Sequence, residues 1–238
     1  MRGGFLRATE LDRTNYPEFR DAILSASLES PDSAPRTYPG YPRVALDAVP
    51  PRLWPSLDKG LLKRRCAREL SARLPGRRTL SRILKFSHGV SSRDGRGPVP
   101  SAGGLQALEL YLAVLEEGWL ERGLYHYDRT GHHLSRISAG ATRADWESKI
   151  PSLLQTRGGS LLWILASDYE RVSAKYGERG YRFLLLEAGH LMQNLCVLSA
   201  SLGLSTVPMG GSFEDEVARA FKLPPGDAVL YAGVCGKM

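Results

Sequence analysis

Residues 178–202 read ERGYRFLLLEAGHLMQNLCVLSASL, a run in which apolar side chains surround the helix axis almost completely. In a protein that folds in water, such a helix lies either at the centre of the fold or across a subunit interface. The longest strongly apolar stretch of the chain, residues 191–207, is too polar for a membrane span, because Gln193, Asn194 and Ser199 are among the polar residues that interrupt it. The sequence therefore predicts a buried central helix or an interface helix.

The composition is that of a soluble folded enzyme. Of 238 residues, 42% are hydrophobic and 24% are charged, which is near the average for globular proteins. This length fits one large α/β or α+β unit. Residues 1–28 contain four acidic residues where a signal peptide needs an apolar segment. We therefore expect a cytoplasmic protein with no membrane partner.

The formal charge of +7 raises the question of nucleic-acid binding. The arginines are spread from Arg2 to Arg219, and the one dense basic cluster, residues 63–78, contains few aromatic residues. A phosphate group needs only two or three well-placed guanidinium groups. Local anion binding is the simpler interpretation, and we expect no nucleic-acid partner.

Disulfide bonds and metal sites are not expected. The three cysteines are far apart and odd in number, so reduced thiols are the default. His126, His132 and His133 lie around one turn without an acidic or cysteine partner at ligand spacing. His190, in the apolar helix, is expected to be a hydrogen-bonded core or interface histidine.

The first quarter of the chain is predicted to be an arm. A helix is expected from Asn15 or Tyr16 to Ser27, and the prolines within residues 30–55 indicate an extended segment. The aromatic residues of this segment are Tyr38, Tyr41 and Trp54. They pack on the main body, pack on a second subunit, or belong to a solvated tether.

The remaining chain mixes helices and strands without regular alternation, which indicates an α+β fold rather than a doubly wound sheet. Helices are predicted at residues 57–70, 80–88 (with Thr79 as cap), 141–154 and 213–221. Strands are predicted at 108–115, 124–127, 161–166 and 228–234. The first two strands are expected to form a hairpin.

Six separated motifs carry the arginines, glycines and paired polar residues. They read KRRCAREL at 63–70, PSAGGLQ at 100–106, LYHYD at 124–128, KYGERGYR at 175–182, LEAGH at 186–190 and VPMGG at 207–211. In this order they resemble the motifs of the nitroreductase superfamily, and in particular of its SagB/ThcOx-type azoline dehydrogenases.

The resemblance covers residues 57–237 and has consequences for fold and cofactor. It implies an α+β, nitroreductase-like fold with a central, mostly antiparallel sheet flanked by helices, homodimeric and binding flavin mononucleotide (FMN). We accordingly divide the chain into an N-terminal helix and proline-rich arm, residues 1–56, and an FMN-binding domain, residues 57–238.

The arginine motif is suited to a phosphate. On a helix, Arg64 and Arg68 share a face, so that two guanidinium groups can bind a doubly charged phosphate. The resemblance implies that Arg64, Arg65, Cys66 and Arg68 hold the FMN phosphate and ribityl chain, and that Lys237 approaches the same phosphate. The alternative is a solvated basic helix face.

Two glycine motifs permit close approach of the backbone to a planar ring. The resemblance implies that both contact the isoalloxazine ring, the second at the edge where charge accumulates on reduction. The residues concerned are Ser101, Gly103, Gly104 and Gln106, and then Pro208, Met209, Gly210 and Gly211. Azoline dehydrogenases often have an aromatic residue or histidine in place of Gln106. The alternatives are a capped helix start and an ordinary glycine turn.

The pair Lys175–Tyr176 matches the lysine–tyrosine pair that is implicated in catalysis by azoline dehydrogenases. Oxidation of a thiazoline or oxazoline to the azole removes one proton and one hydride, so a base has to face the ring while the flavin takes the hydride. A lysine with a lowered pKa, or a tyrosine phenolate stabilised by that lysine, can supply the base. We predict that the two residues act as a unit. The alternative is a loop before a helix.

Three functions follow as hypotheses. The first is an FMN-dependent dehydrogenase that oxidises an azoline in a peptide or carrier-bound intermediate and returns electrons to dioxygen. Its expected partners are a second copy of the chain, because family flavin sites form between subunits, and a cyclodehydratase. The second is a reductase of the same fold that passes electrons from NAD(P)H to a nitro compound, quinone or enone. The third is a non-catalytic scaffold for partner enzymes or a leader peptide.

Overall fold

A computed structural model of the chain describes residues 14–25, 36–50 and 57–238. The last two residues of the predicted first helix, the start of the arm and Trp54 lie outside these residues. The helices are α1 (Tyr16–Ser25), α2 (Leu57–Lys63), α3 (Arg77–Ser87), α4 (Arg143–Lys149), α5 (Tyr169–Tyr176), α6 (Arg179–Ser201) and α7 (Glu214–Phe221). The strands are β1 (Arg43–Ala45), β2 (Glu69–Leu70), β3 (Leu108–Val114), β4 (Gly123–Asp128), β5 (His133–Ala139), β6 (Arg157–Gly158), β7 (Leu161–Asp168), β8 (Leu204–Met209) and β9 (Asp227–Lys237).

Seven strands form one sheet in the order β1-β5-β4-β3-β7-β9-β8, and every neighbouring pair in it is antiparallel. Strands β2 and β6 form a separate, short parallel pair. The predicted hairpin is present, since β3 pairs with β4 from Tyr111↔His126 to Val114↔Gly123. The α+β prediction and the mostly antiparallel sheet are confirmed.

Helices cover both faces of the sheet. Residues 161, 163 and 165 of β7 belong to the core cluster that includes α3 and α6, and residues 162, 164 and 166 belong to the cluster that includes α4 and α7. Because successive side chains of a strand point to opposite faces, a strand buried on both faces reads as a continuous apolar run. This is why the sequence predicts β7 well.

The long helix α6 is buried along one side only. Leu184, Leu191 and Leu195 are fully buried, whereas Leu186 is 57% exposed and His190 is also exposed. The core role considered for His190 is therefore wrong. Among the described residues, α6 is the one helix long and apolar enough to cross a membrane, and 56% of its apolar window is buried within the protein. A core helix meets the same criteria.

The described part of the arm packs on the main body. Strand β1 pairs with β5, Arg36 forms an ion pair with Asp227, and Tyr38 Oη lies 2.9 Å from Tyr111 Oη. The Arg36 and Asp227 side chains are 16% and 4% exposed. Tyr38 thus packs on the main body, which is the first of the three alternatives considered for the aromatic residues of the arm.

The predicted helix over residues 57–70 ends early, at Lys63. Gly60 of α2 packs closely on α6, where a Cβ would lie 2.8 Å from the Val197 carbonyl oxygen. Beyond Arg64 the backbone is extended and hydrogen-bonds to other segments: the Ser205 hydroxyl donates to Arg65 O at 2.8 Å, and Arg157 N–H donates to Arg68 O at 2.7 Å. These bonds replace helical ones, so the prediction of a shared helix face for Arg64 and Arg68 is wrong.

Two further helix boundaries differ from the prediction. Gly76 is the N-cap of α3, so Thr79 lies within its first turn rather than at the cap. The predicted helix 141–154 is divided, because α4 ends at Lys149 and Pro151 begins a 3-10 helix, Pro151–Gln155. The helical conformation is disfavoured for the residue before a proline. Proline also has no N–H with which to donate a hydrogen bond to a carbonyl of the preceding turn.

Candidate active site

The motif at residues 100–106 forms a tight turn around a short 3-10 helix, Ala102–Gly104. Gly103 and Gly104 both have positive φ, +59° and +72°, and Gln106 follows with φ +52°. The Ser101 hydroxyl accepts the Gln106 N–H at 2.8 Å instead of capping the 3-10 helix. A positive φ in a residue with a side chain stores strain, which concentrates at functional sites.

Lys175 and Tyr176 converge on this turn. They end α5, so they lie in the last helical turn rather than in a loop. A Cβ at Gly103 would lie 2.5 Å from Tyr176 Oη and 3.0 Å from Lys175 Nζ. Only a glycine lets the turn approach both polar atoms this closely. Two predicted site segments that are about 70 residues apart in the sequence thus meet at one point.

Glu187 of α6 belongs to the same constellation. Its Oε1 accepts the Ala102 N–H at 2.6 Å, and its carboxylate also bonds to the Ser101 side chain. The residue is 5% exposed, and burial raises its pKa despite these two bonds. The sequence patterns assign no such role to Glu187. The available signal is one acidic residue within a strongly apolar helix.

The electrostatics of this constellation act on Tyr176. Burial raises the pKa of its phenol, and the negative charge of Glu187 raises it further. Of the two bases considered, this direction works against a tyrosine phenolate in the chain as it stands.

The arginine motif lies in an extended segment beside β8. Arg64 is half-buried, and its Nη1 lies 3.7 Å from Cys66 Sγ, whereas Arg65, Cys66 and Arg68 are exposed. A groove of about 560 Å³ runs along the segment and is lined in part by Cys66, Arg68 and Val207. The structure thus keeps these four residues together, although not on a helix.

Strand β8 connects this segment to the second glycine motif. At its start, Ser205 holds the backbone of residues 65–67, and neighbouring Leu204 pairs with Lys237 of β9. At its end, Met209 is buried, and a Cβ at Gly210 would meet no atom within 4 Å. The predicted phosphate ligands and the motif Pro208, Met209, Gly210 and Gly211 therefore lie at opposite ends of one strand.

The 101–106 turn and the arginine motif lie at different positions along the axis of α6. The turn at residues 101–106 is anchored at Glu187, and the helix before the arginine motif is anchored at Val197. Ten residues of helix correspond to about 15 Å. Next to the first anchor and between the two, α6 presents an exposed face that contains Leu186, Gly189 and His190.

No group of three or more potential metal ligands occurs among the described residues. Two of the three histidines of the predicted turn do have acidic neighbours, contrary to expectation. His126 Nε2 lies 2.7 Å from Glu109 Oε2, and His133 Nε2 lies 3.7 Å from Asp128 Oδ2. Glu109 lies seventeen positions before His126, so the pair is formed across β3 and β4 and not by local spacing.

Comparison with known proteins gives a family match over residues 61–237, to the nitroreductase family. The chain is 33% identical over 167 residues to the putative nitroreductase MJ1384 of Methanocaldococcus jannaschii, which is 70% of this chain and 84% of that protein. It is 28% identical over 154 residues to the microcin B17-processing protein McbC of Escherichia coli, which is 61% of this chain and 56% of that protein.

The fold also matches a chain in the structure of the E. coli microcin synthetase McbBCD complex with truncated pro-MccB17 bound. The TM-score is 0.60 at 20% identity, over 98% of this chain and 97% of that one. At this identity the match shows a shared fold. Together with the motifs and the McbC similarity, it agrees with the SagB/ThcOx-type branch that the sequence predicts. The chain belongs to the nitroreductase family.

Proposed function

We propose that the chain is an FMN-dependent dehydrogenase that converts a thiazoline or oxazoline, in a peptide or carrier-bound intermediate, to the azole. The observation that carries this proposal is the convergence of Lys175 Nζ and Tyr176 Oη on Gly103. An azoline oxidation needs a base opposite the hydride acceptor, and this pair is the polar group that the fold holds against the turn predicted to contact the flavin. The similarity to McbC, a peptide-processing protein, favours a peptide substrate.

The residues present fit a flavin. The groove beside Arg68 has no acidic residue among its described lining residues, so a phosphate there meets Arg68 without opposing charge, and the exposed Arg65 of the same segment is a second cation for it. At the other end of β8 the open approach to Gly210 leaves room for a ring edge against the backbone. Lys237 adds a cation near the start of β8. We propose these residues, with Cys66 and the 208–211 motif, as the FMN ligands within the domain 57–238.

A second copy of the chain would complete this site. A two-fold axis through the exposed face of α6, near Gly189 and His190, would set two α6 helices antiparallel. The partner's 101–106 turn, anchored near one end of its α6, would then approach the flavin site along this chain's β8. The exposed Leu185 and Leu186, at 40% and 57% of their surface, would be covered. We therefore propose a homodimer in which each flavin contacts both chains.

Within that site the chain's own residues bind, orient and move a proton. When bound, FMN supplies hydride acceptance and returns the electrons to dioxygen. Glu187 fixes the turn by accepting the Ala102 N–H, and Gly103 gives Lys175 and Tyr176 their shared position. The pair removes the ring proton as a unit. The raised pKa of Tyr176 keeps its phenol protonated and able to donate a hydrogen bond.

The proposal is tested with Lys175→Ala and Tyr176→Phe in the flavin-loaded protein. Both variants should keep bound FMN by visible absorbance and lose azole formation, measured by mass spectrometry as the loss of two hydrogens per ring from a synthetic thiazoline peptide. General base catalysis contributes about 10²–10⁴-fold. Lys59→Ala, on the exposed side of α2, is the matched control. Azole formation at the control's rate in both variants would reject the assignment.

The NAD(P)H-dependent reductase is the second candidate, because the chain is 33% identical over 167 residues to MJ1384, a putative nitroreductase. Stopped-flow reduction of the bound flavin separates the two functions. Rapid bleaching by NAD(P)H alone would favour the reductase, whereas the dehydrogenase should bleach only with an azoline. The scaffold hypothesis predicts a colourless protein that does not take up added FMN.

A cyclodehydratase partner is proposed by analogy with the McbBCD complex.

A further inference from the structure

A second cavity lies on the other side of the 101–106 turn, away from the arginine segment. It has a volume of about 280 Å³, and Gly103, Gly104 and Gln106 form part of its wall. This volume equals the share of roughly nine water molecules in the liquid and is smaller than most cofactor pockets. It suits a side chain or a short acyl group beside Gly103, the residue that Lys175 and Tyr176 also approach.

The charged residues of this cavity are mostly arginines. Its wall contains four arginines and two carboxylates, namely Arg36, Arg96, Arg129, Arg171, Asp94 and Glu109. Both carboxylates already have partners, since Asp94 pairs with Arg96 at 3.1 Å and Glu109 with His126 at 2.7 Å. Three of the four arginines are paired as well, Arg36 with Asp227, Arg96 with Asp94 and Arg171 with Asp168, which leaves Arg129 as the arginine of the wall without an ion pair among the described residues. An anion bound at Arg129 would supply that partner.

Arg129 is the residue that points most directly to a ligand. It is 6% exposed, its Nε donates to the His88 carbonyl at 3.1 Å, and its Nη2 has no hydrogen-bond partner among the described residues. Gly97 leaves room for it, because a Cβ there would lie 2.7 Å from Nη2. A buried guanidinium with an unmade bond is costly. Burial lowers the pKa of Arg129, and Glu109 opposes this only in part.

We propose that this cavity binds a carboxylate of the substrate, from an acidic residue or a chain terminus, and so places the azoline ring against Lys175 and Tyr176. The planar guanidinium of Arg129 matches a carboxylate in geometry. Because Asp94 and Glu109 also line the cavity, a singly charged carboxylate is a better occupant than a phosphate dianion. The strained Gln106, where azoline dehydrogenases often have another residue type, is part of the same wall. This inference rests on the proposed function for the identity of the ring.

Calorimetric titration of the flavin-loaded protein tests the site without turnover. The probes are glutaramate, its neutral analogue glutaramide, and inorganic phosphate. Glutaramate should bind at least about tenfold more tightly than the other two, which corresponds to one charge-assisted hydrogen bond. Arg129→Gln should remove that preference. Arg96→Gln, which changes an exposed arginine of the same wall, should weaken glutaramate binding several-fold. Because Arg96 is exposed, this variant tests the site even if the buried Arg129→Gln does not fold. Arg219→Gln, on the exposed side of α7, is the matched control.

Thiazoline peptides with glutamate or glutamine beside the ring supply the second readout. The kcat/KM ratio between the two peptides should favour glutamate and fall about tenfold or more in Arg129→Gln. Equal binding of glutaramate and glutaramide, tighter binding of phosphate, or no change in both arginine variants would overturn the inference. If flavin binds and carboxylates do not, this inference fails while the proposed function stands. If carboxylates bind to a protein that takes up no flavin, the cavity stands and the proposed function fails.

Discussion

Replacing Gly103 with alanine is expected to separate the catalytic pair from the turn while leaving the fold intact. The added Cβ would lie 2.5 Å from Tyr176 Oη, so the hydroxyl has to retreat by about 1 Å to reach an ordinary contact distance of 3.4 Å. A displacement of about 1 Å at a reacting group can reduce the rate roughly 100-fold. We therefore expect Gly103→Ala to form azole about 100-fold more slowly than the unmodified protein.

The backbone at the same position also contributes to stability. Gly103 has φ +59°, and an alanine in the left-handed region costs about 1–2 kcal/mol. For a chain of this length, each kcal/mol lowers Tm by about 2–4 °C. A modest loss of thermal stability is therefore expected beside the large loss of activity.

Gly104→Ala is a matched control for this experiment. Gly104 has φ +72°, so alanine meets similar backbone strain, but the nearest atom to its Cβ would be 3.9 Å away. Both variants should lose similar stability, and only Gly103→Ala should lose most of its activity. Azole formation is measured by mass spectrometry at matched flavin occupancy, and stability by thermal denaturation. Equal activity of the two variants would refute the proposed contact between the turn and the pair.

Three further predictions concern the surroundings of the site. Glu187→Gln should be more stable than the unmodified protein at pH 8 but not at pH 4 in thermal denaturation, because a carboxyl whose pKa is raised by folding loses its stabilising contribution as pH rises through that pKa. A difference that does not vary with pH would contradict this. Arg36→Ala should lower the free energy of unfolding in urea by about 3 kcal/mol, because it leaves Asp227 buried without its partner. A loss below about 1 kcal/mol would mean that this ion pair contributes little to stability. Leu186→Glu should halve the native mass and reduce FMN binding, with the exposed Leu24→Glu as control, and an unchanged dimer would exclude this face of α6 as the interface.

Local patterns were sufficient for the elements that are buried in a regular way. Helix α6 and strand β7 follow from long, predominantly apolar runs. Strand β5 does not follow, because its register shifts opposite Leu124 and Tyr125 and its apolar residues Leu134 and Ile137 are no longer two positions apart. A bulge of this kind removes the alternation by which strands are recognised.

The errors in the local structure expected around the site have one cause. The Ser205 hydroxyl and the Arg157 N–H donate hydrogen bonds to backbone carbonyls of the arginine motif, and helical periodicity contains no information about such distant partners. Glu187 was missed for the same reason, since its partner Ala102 is 85 positions away. By contrast, the motif resemblance assigned both the 101–106 turn and the Lys175–Tyr176 pair to one active site, and the structure brings Gly103 close to that pair.

A crystal structure of the protein grown with FMN tests the central claim most directly. We expect one flavin per chain, its phosphate beside Arg65 and Arg68, its ring edge beside Gly210, and Gly103 of the partner subunit on the ring. A flavin bound elsewhere, or a cleft between Arg68 and Gly210 filled by the protein's own side chains, would contradict the account.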